Sequence, residues 1–378
     1  MSAVLEAVPS QDEAIGFLVR AAARPHHAYL FAGPEGSGKQ LGARAFVAAL
    51  LCETGGCGEC RACRLALEER HPNVSVVEPE GRDIRVDAIR EGVWTPAHRT
   101  APEPGRKVFV IREADRLNPA AADVLLKVLE EPPEQTVLML LSARPEELPE
   151  TIRSRCHTVT FHPLPEPFVV DALVREGVTP ERALLSARLA GSNMGRARRL
   201  ARDRGGLAFR AGALQAVLES RAEGGGPLAA AETLLSGTAA YRKELKEELE
   251  AELEPMMDAN TGRADPAYAA VVKRVQEKYH RRDRRAEREF LDWSLLALQA
   301  WHRDVLASLS GVAADGLVNV DLADDVASHA RTATPAGLAA AMEAIEEARA
   351  ALADETNLNP RLVLEEAFLR LASGTVPA

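Results

Sequence analysis

The sequence predicts an α/β domain built on a parallel sheet, followed by an all-α remainder. Three observations carry that prediction. The stretch Gly33-Pro34-Glu35-Gly36-Ser37-Gly38-Lys39-Gln40 lies between a short apolar run, 29–32, and a helix-like run, 41–51. Strand, glycine loop and helix in that order are the setting of a phosphate-binding loop. Continuous apolar runs at 107–111 and 136–141 read as strands buried on both faces, as in a parallel sheet. Helix-like segments alternate with strands up to Phe161, and from Phe168 onward only helices are expected.

At 378 residues the chain is too long for one typical core, so two or three domains are expected. Hydrophobic content of 46% with 27% charged residues describes a globular chain. No apolar run approaches the ~20 residues of a membrane span, and the first residues show no basic-then-apolar leader. The cytoplasm is therefore the expected compartment, with no membrane partner. A net charge of −10 argues against a free-standing DNA binder; any nucleic-acid contact falls to a local patch or to a partner.

Residues 10–23 form an amphipathic pattern, with Ser10 as cap and Glu13 three positions on. In the glycine loop, Gly33, Gly36 and Gly38 let backbone N–H groups converge on phosphate oxygens, the next helix adds its dipole, and Lys39 adds a mobile cation. The pattern G-x-x-x-x-G-K is complete except for its last letter. Gln40 stands where a Ser or Thr hydroxyl would bind Mg²⁺. These residues are candidate phosphate ligands of a degenerate loop.

Cys52, Cys57, Cys60 and Cys63 follow as C-x4-C-x2-C-x2-C, four of the chain's five cysteines. A cytosolic protein does not normally spend such a cluster on disulfides. Four thiolates close a tetrahedral Zn²⁺ shell, which means a structural site. An iron–sulfur run is the alternative, but its downstream Cys-Pro is missing.

A strand at 73–77, a helix at 86–93 and a Pro/Gly loop at 101–105 lead to the strand 107–111. In nucleotide hydrolases an Asp after such a strand holds the Mg²⁺ shell; here it is Arg112. Glu113 takes the place of the water-orienting carboxylate, and Asp115 lies too far on to serve as a shifted metal ligand. A helix at 120–131 closes at Pro132-Pro133, and Thr151-Ile152-Arg153-Ser154-Arg155-Cys156 precedes a last strand at 157–161. Pro163, Pro165 and Pro167 mark a linker. Three short helices follow, at 168–176, 180–189 and 196–203. Glycine breaks at 205–206 and 224–226 precede long helical stretches, one acidic (241–254) and one basic (273–288). The charge runs read as solvated helix faces, paired with each other; a contact with nucleic acid or an acidic partner is the sharper alternative. Helices at 335–352 and 360–371 close the chain.

Several stretches together resemble the bacterial clamp-loader AAA+ subunits of DNA polymerase III. They are His27-Ala28-Tyr29-Leu30-Phe31, the glycine loop, the cysteine cluster, His71-Pro72-Asn73-Val74, Leu125-Leu126-Lys127-Val128-Leu129-Glu130-Glu131-Pro132-Pro133, and the Ser154-Arg155-Cys156 stretch. The run 191–200 and Asn359-Pro360-Arg361-Leu362 also match. The likeness is dense over residues 10–205 and thin beyond. Asp123 stands where such subunits often carry Asn, and we have no physical account of it.

The resemblance implies an AAA+ domain with its zinc module (about 52–63) at 1–163, a helical lid at 164–206 and a helical collar that oligomerises at 207–378. It implies an activity, opening a sliding clamp and placing it on primed DNA. The partners it implies are the gamma and tau motor subunits, the delta subunit and, through the complex, the clamp and DNA in the nucleoid-associated replisome. It also implies that Arg155 is an arginine finger, acting in trans in a neighbouring motor's ATP site; a local carboxylate pair is the bland alternative. Cys156 reads as a packed small residue.

Two departures separate a motor from a stator. Gln40 removes a metal-binding hydroxyl and Arg112 removes a metal-shell carboxylate. A cation ~4 Å from the ion adds about 4 kcal/mol of repulsion per charge pair at an effective dielectric near 20. Little or no ATPase is therefore expected of this chain alone. Nucleotide binding is left open, because Lys39 and the loop N–H groups remain and Arg112 offers a counter-charge. An active gamma/tau-like motor and an unrelated AAA+ binding or signalling module are the competing readings.

Overall fold

Five strands form one parallel sheet: β1 Ala28–Ala32, β2 Val74–Val77, β3 Lys107–Ile111, β4 Thr136–Ser142 and β5 His157–Thr160, in the order β2-β3-β4-β1-β5. Every residue of β1 and β4 is buried, as their unbroken apolar runs require. Alternation across the pleat divides β1 between two cores. Tyr29 and Phe31 join Phe46, Val108, Val110, Val137, Met139 and Leu141 on one face. Ala28, Leu30 and Ala32 join Ile89, Phe109, Ile111, Leu125, Leu138 and Leu140 on the other. The register sets Leu30 opposite Leu140 on one side and Thr158 on the other, so β1 lies inside the sheet and the loop leaving it is held by both neighbours.

The computed structural model describes residues 2–79, 83–191, 193–201, 208–221, 226–257, 269–353 and 358–373. It divides into two units, Met1–Glu176 with Ala190–Arg196, and Gly177–Leu189 with Ala197–Ala378. The first holds the sheet. In it the predicted helix at 10–23 runs Asp12–Ala23, and Ser10 is not its cap: Ser10 sits at φ 56° and Gln11 takes the cap position. The predicted helix at 86–93 continues to Ala97 through a π-helical turn, Arg90–Trp94. Its apolar face explains the extension, since Ile89, Val93 and Ala97, four apart, are all fully buried. The helix Pro119–Glu130 starts on Asn118, whose side chain accepts from the Ala121 N–H at 2.8 Å. Pro167 is not linker; the helix Glu166–Arg175 begins before it, because proline is tolerated in a first turn.

The regular elements among the described residues of the second unit are helices. Ala208–Arg221, Gly226–Leu253, Ala269–Leu309, Pro335–Ala353 and Pro360–Ser373 pack on one another. Two long helices carry the charge runs, and the ion pair Arg242–Asp283 (2.9 Å) links them. That pair runs opposite to the expected sense: the cation comes from the acidic helix and the carboxylate from the basic one. Side chains at 273–274, 277–278, 281–282 and 284–285 lie outside the described residues, as do Ser192, the predicted glycine break at 205–206 and residues 224–225 of the second, whose Gly226 opens the helix Gly226–Leu253. Buried Arg210 holds Asp321 through both carboxylate oxygens and also reaches Asn319, while fully buried Asp304 accepts from the N–H groups of Val318 and Asn319. No helix among the described residues is long and apolar enough to cross a membrane.

Three imidazoles meet at the entry to β1 and β5. The ring of His26 lies 4.0 Å from that of His27 and 4.2 Å from that of His157. Burial, then the neighbouring His26, pushes the His27 pKa down, a backbone hydrogen bond to Leu129 opposes, and His157 adds to the lowering. Buried His71 is likewise lowered, first by burial. Both bind a proton more weakly in the folded chain than in the unfolded one. Stability should therefore be full above about pH 6.5 and fall as pH drops below it toward the lowered folded values. Chemical unfolding across that range should show the fall, and His27→Gln should remove part of it. Stability that rises on acidification through this window would contradict the assignment.

Candidate functional site

The glycine loop leaves β1 and is closed by contacts from its own unit. Gly33 (φ +152°) passes so near β5 that a Cβ would lie 2.1 Å from the Phe161 carbonyl oxygen. Gly36 (φ +74°) lies under Asn193, which a Cβ would meet at 2.4 Å. Only glycine fits either place. Gly38, also at positive φ, precedes the helix Lys39–Leu51. The Lys39 ammonium turns back onto the loop, donating to the Gly33 carbonyl at 2.5 Å and the Pro34 carbonyl at 2.7 Å. Burial lowers its pKa, and the carboxylates of Glu35 and Asp115 oppose the lowering. Gln11, which the sequence reading passed over, fastens the loop from outside. Its amide donates to the carbonyls of Ser37 (3.0 Å) and His162 (2.8 Å) and accepts from the His162 N–H (3.0 Å).

Arg112, the candidate phosphate counter-charge, is paired with carboxylates of its own chain. Its guanidinium donates to Glu78 at 2.9 Å and to both carboxylate oxygens of Glu69. Arg44 of the loop helix holds the same Glu69 at 2.9 and 3.2 Å. The Arg112 side chain is only 15% exposed, so its charge is committed to this chain of ion pairs. Burial works against ionisation of Glu69, but Arg44 and Arg112 outweigh it and keep the carboxylate charged. Burial also opposes the charge on Arg112, and Glu69 and Glu78 overcome it. Glu113 pairs with Arg116 at 2.8 Å. Asp115 accepts from the Ser142 hydroxyl at 2.7 Å and the Arg144 guanidinium at 3.3 Å.

The four predicted cysteines come together. Their sulfurs all lie within 4.8 Å of one another, with Cys52–Cys57 and Cys52–Cys60 at 3.8 Å and Cys57–Cys63 at 3.9 Å. A tetrahedron with metal–sulfur bonds of about 2.3 Å has edges of about 3.8 Å, so the cluster fits such an ion. Backbone N–H groups of Cys60 and Cys63 point at the sulfurs of Cys57 and Cys60, both at 3.4 Å. The Cys60 N–H, with that of Glu59, lowers the Cys57 pKa and so favours its thiolate. At Cys52 burial opposes ionisation, but the Thr54 hydroxyl and nearby N–H groups bring its pKa to about 5. Burial pushes Cys63 up to about 12; a bound cation reverses that by direct coordination. The helix Arg61–Leu67, missed in the sequence, carries Cys63 and ends just before Glu69.

Arg155 lies between the short helix Glu150–Arg153 and β5. Its guanidinium donates to the Thr151 carbonyl at 2.8 Å and to Glu130 at 2.9 Å. The local carboxylate pair foreseen as the bland reading is thus present, and the side chain is still 37% exposed. Burial pushes Cys156 up to about 12, as befits a packed thiol rather than a nucleophile. Gln11, Arg44, Glu69 and Glu130 carry no signal of their own in one sequence, because their partners lie 25 to 151 positions away. In the run 191–200, Arg196 approaches Glu35 of the loop at 3.9 Å.

A family model described as DNA polymerase III, delta subunit, matches residues 11–165, and one described as its C terminal matches 279–373. The chain is similar to DNA polymerase III subunit delta' of Bacillus subtilis (strain 168), 35% identical over 183 residues, 48% of this chain and 55% of that one. It is 46% identical to the delta' subunit of Pseudomonas aeruginosa over 136 residues, 34% of this chain and 41% of that one. The gamma/tau subunit of Mycobacterium tuberculosis (strain ATCC 25618 / H37Rv) is 35% identical over 173 residues, 43% of this chain and 30% of that one. The chain thus spans about half the length of the first curated relatives it matches.

Proposed function

The chain belongs to the DNA polymerase III delta-subunit family of bacterial clamp loaders, and from that premise we propose that it is a stator of the delta-prime type. It helps a ring of gamma/tau motors and a delta subunit place the sliding clamp on primed DNA, in the cytoplasm, and turns over no ATP itself. One observation carries the reading. Arg112, at the place of the metal-shell carboxylate, is bound to Glu69 and Glu78, and Gln40 supplies no metal-binding hydroxyl. A divalent ion would have to displace a guanidinium from two carboxylates, and would find no ligand at Arg112 and only a neutral amide oxygen at Gln40 in place of the hydroxyl. Lys39 is itself engaged by loop carbonyls. Arg155 then acts in trans, as a finger in a neighbour's site. The cysteine cluster holds zinc as a closed structural site, for which no open position remains. The three-part division at 163/164 and 206/207 into AAA+ domain, lid and collar is part of the same proposal.

The isolated chain should hydrolyse ATP only at background rate, with magnesium and primed DNA present. Mixed with gamma/tau and delta, it should co-elute as one complex whose turnover exceeds that of the motors alone. Motor-like turnover by the isolated chain, abolished by Lys39→Ala, would establish the motor reading instead. Arg112→Asp with Gln40→Thr should improve metal binding, seen by Mn²⁺ titration, yet leave the isolated chain without a neighbour's arginine and hence slow.

A further inference from the structure

We propose that Glu130 is the positioning residue of Arg155: it fixes one edge of the guanidinium on the chain's own surface and leaves the other edge to meet an anionic phosphoryl group. The inference rests on Arg155 acting as a finger in a neighbour's site. Glu130 is the last residue of the helix Pro119–Glu130, and Glu131 follows at the cap. Carboxylates there face the negative end of the helix dipole, so local preference alone selects against them. Arg155 offsets that opposition at Glu130. The second contact, the Thr151 carbonyl, comes from the C-terminal turn of the short helix Glu150–Arg153, where carbonyls lack intrahelical partners. Two negative helix ends thus converge on one cation.

The contacts divide the guanidinium. Of its five N–H donors, one on each terminal nitrogen is taken, Nη1 by Thr151 and Nη2 by Glu130. Among the described residues the Nε donor and the second hydrogens of both terminal nitrogens meet no hydrogen-bond acceptor. The pair is too exposed, at 37% and 45%, to matter for stability. Its consequence is geometric: a long, freely rotating side chain is held in one direction before its target arrives. A planar fork can keep one edge on a carboxylate while its other edge binds phosphate, which a lysine cannot do.

The test uses complete rings reconstituted with the motor subunits, the other motor sites disabled, and separates kcat from KM. Glu130→Gln should lower kcat at the site this chain faces about 10-fold, short of the roughly 10²-fold that a 1 Å misplacement can cost, with KM, assembly and thermal unfolding unchanged. Glu130→Asp should recover part of the loss. Glu130→Gln combined with Arg155→Ala should equal Arg155→Ala alone, because both act through one guanidinium. If the two losses instead multiply, or if Glu130→Gln is silent while Arg155→Ala collapses turnover, Glu130 has no positioning role and the finger stands without it. A silent Arg155→Ala rejects the finger itself, and this assignment with it.

Discussion

Arg155→Ala in an otherwise complete ring should leave assembly, metal content and the fold unchanged and cut turnover at the neighbouring site by about 10³–10⁵-fold, the range known for fingers supplied in trans. The size follows from where the charge develops. The transferring phosphoryl group spreads negative charge over its outer oxygens, and a planar fork can stabilise it from across an interface. The small effect on this chain follows from its surface position. Removing an exposed pair with Glu130 (2.9 Å) costs about 0–1 kcal/mol. Total ATPase of a ring with several active sites should fall only by the share of one site, whereas clamp loading should fall further if sites fire in sequence. Arg155→Lys should rescue only in part, because a point charge on a flexible stem cannot hold carboxylate and phosphate together. The readouts are ATPase and clamp-loading rates in rings checked for composition. Unchanged rates in correctly assembled rings would leave Arg155 as a local partner of Glu130.

The parts of this molecule that can be read from one sequence are those whose physics is local. β1, β3 and β4 were legible because a strand buried on both faces must be an unbroken apolar run, and their burial bears this out. The cysteine cluster was legible because metal ligands close in sequence need little help from the fold to meet. What escaped was tertiary. Ser10 has the composition of a cap, but the chain turns at φ 56° there, while the side chain of Gln11 is used on Ser37 and His162. Arg112 was visible as an odd residue at a metal position. Its orientation was not, because Glu69 reaches it only once the helix Arg61–Leu67 has been laid against the loop helix. The charge runs were legible only as helix faces that meet. Net charge along a helix does not say which residues face the partner, and a pair that links the long helices is Arg242 with Asp283.

Removing the metal from the cysteine cluster should unfold the region around it and weaken the whole first unit. The N-terminal residues depend on the cluster's loop: the Val4 N–H donates to the Gly56 carbonyl at 3.2 Å, and Val4, Leu5 and Val8 are buried in the core that also holds Cys52 and Cys63. On the other side, the helix Arg61–Leu67 starts on the Cys60 sulfur and precedes Glu69, which holds both Arg44 and Arg112. Without a cation, four thiol groups whose sulfurs lie about one tetrahedral edge apart must share a space that is filled at Cys63 and open at Cys57. Structural zinc contributes about 10–16 kcal/mol of apparent binding energy in small peptide modules. With zinc held at this cluster, part of that energy would stabilise the fold, so loss of the ion should cost the unit at least about 4 kcal/mol. Metal analysis of the purified protein should find about one zinc per chain. Chelation should lower the unfolding midpoint and open residues 2–10 and 52–70 to protease. Cys63→Ser, at the most buried ligand, should be more damaging than Cys57→Ser at the exposed rim. Neither should alter Arg155 as a chemical group, so rings that still assemble should keep their turnover. A metal-free protein that melts at the same midpoint, with four freely titrating thiols at this cluster, would rule the structural site out.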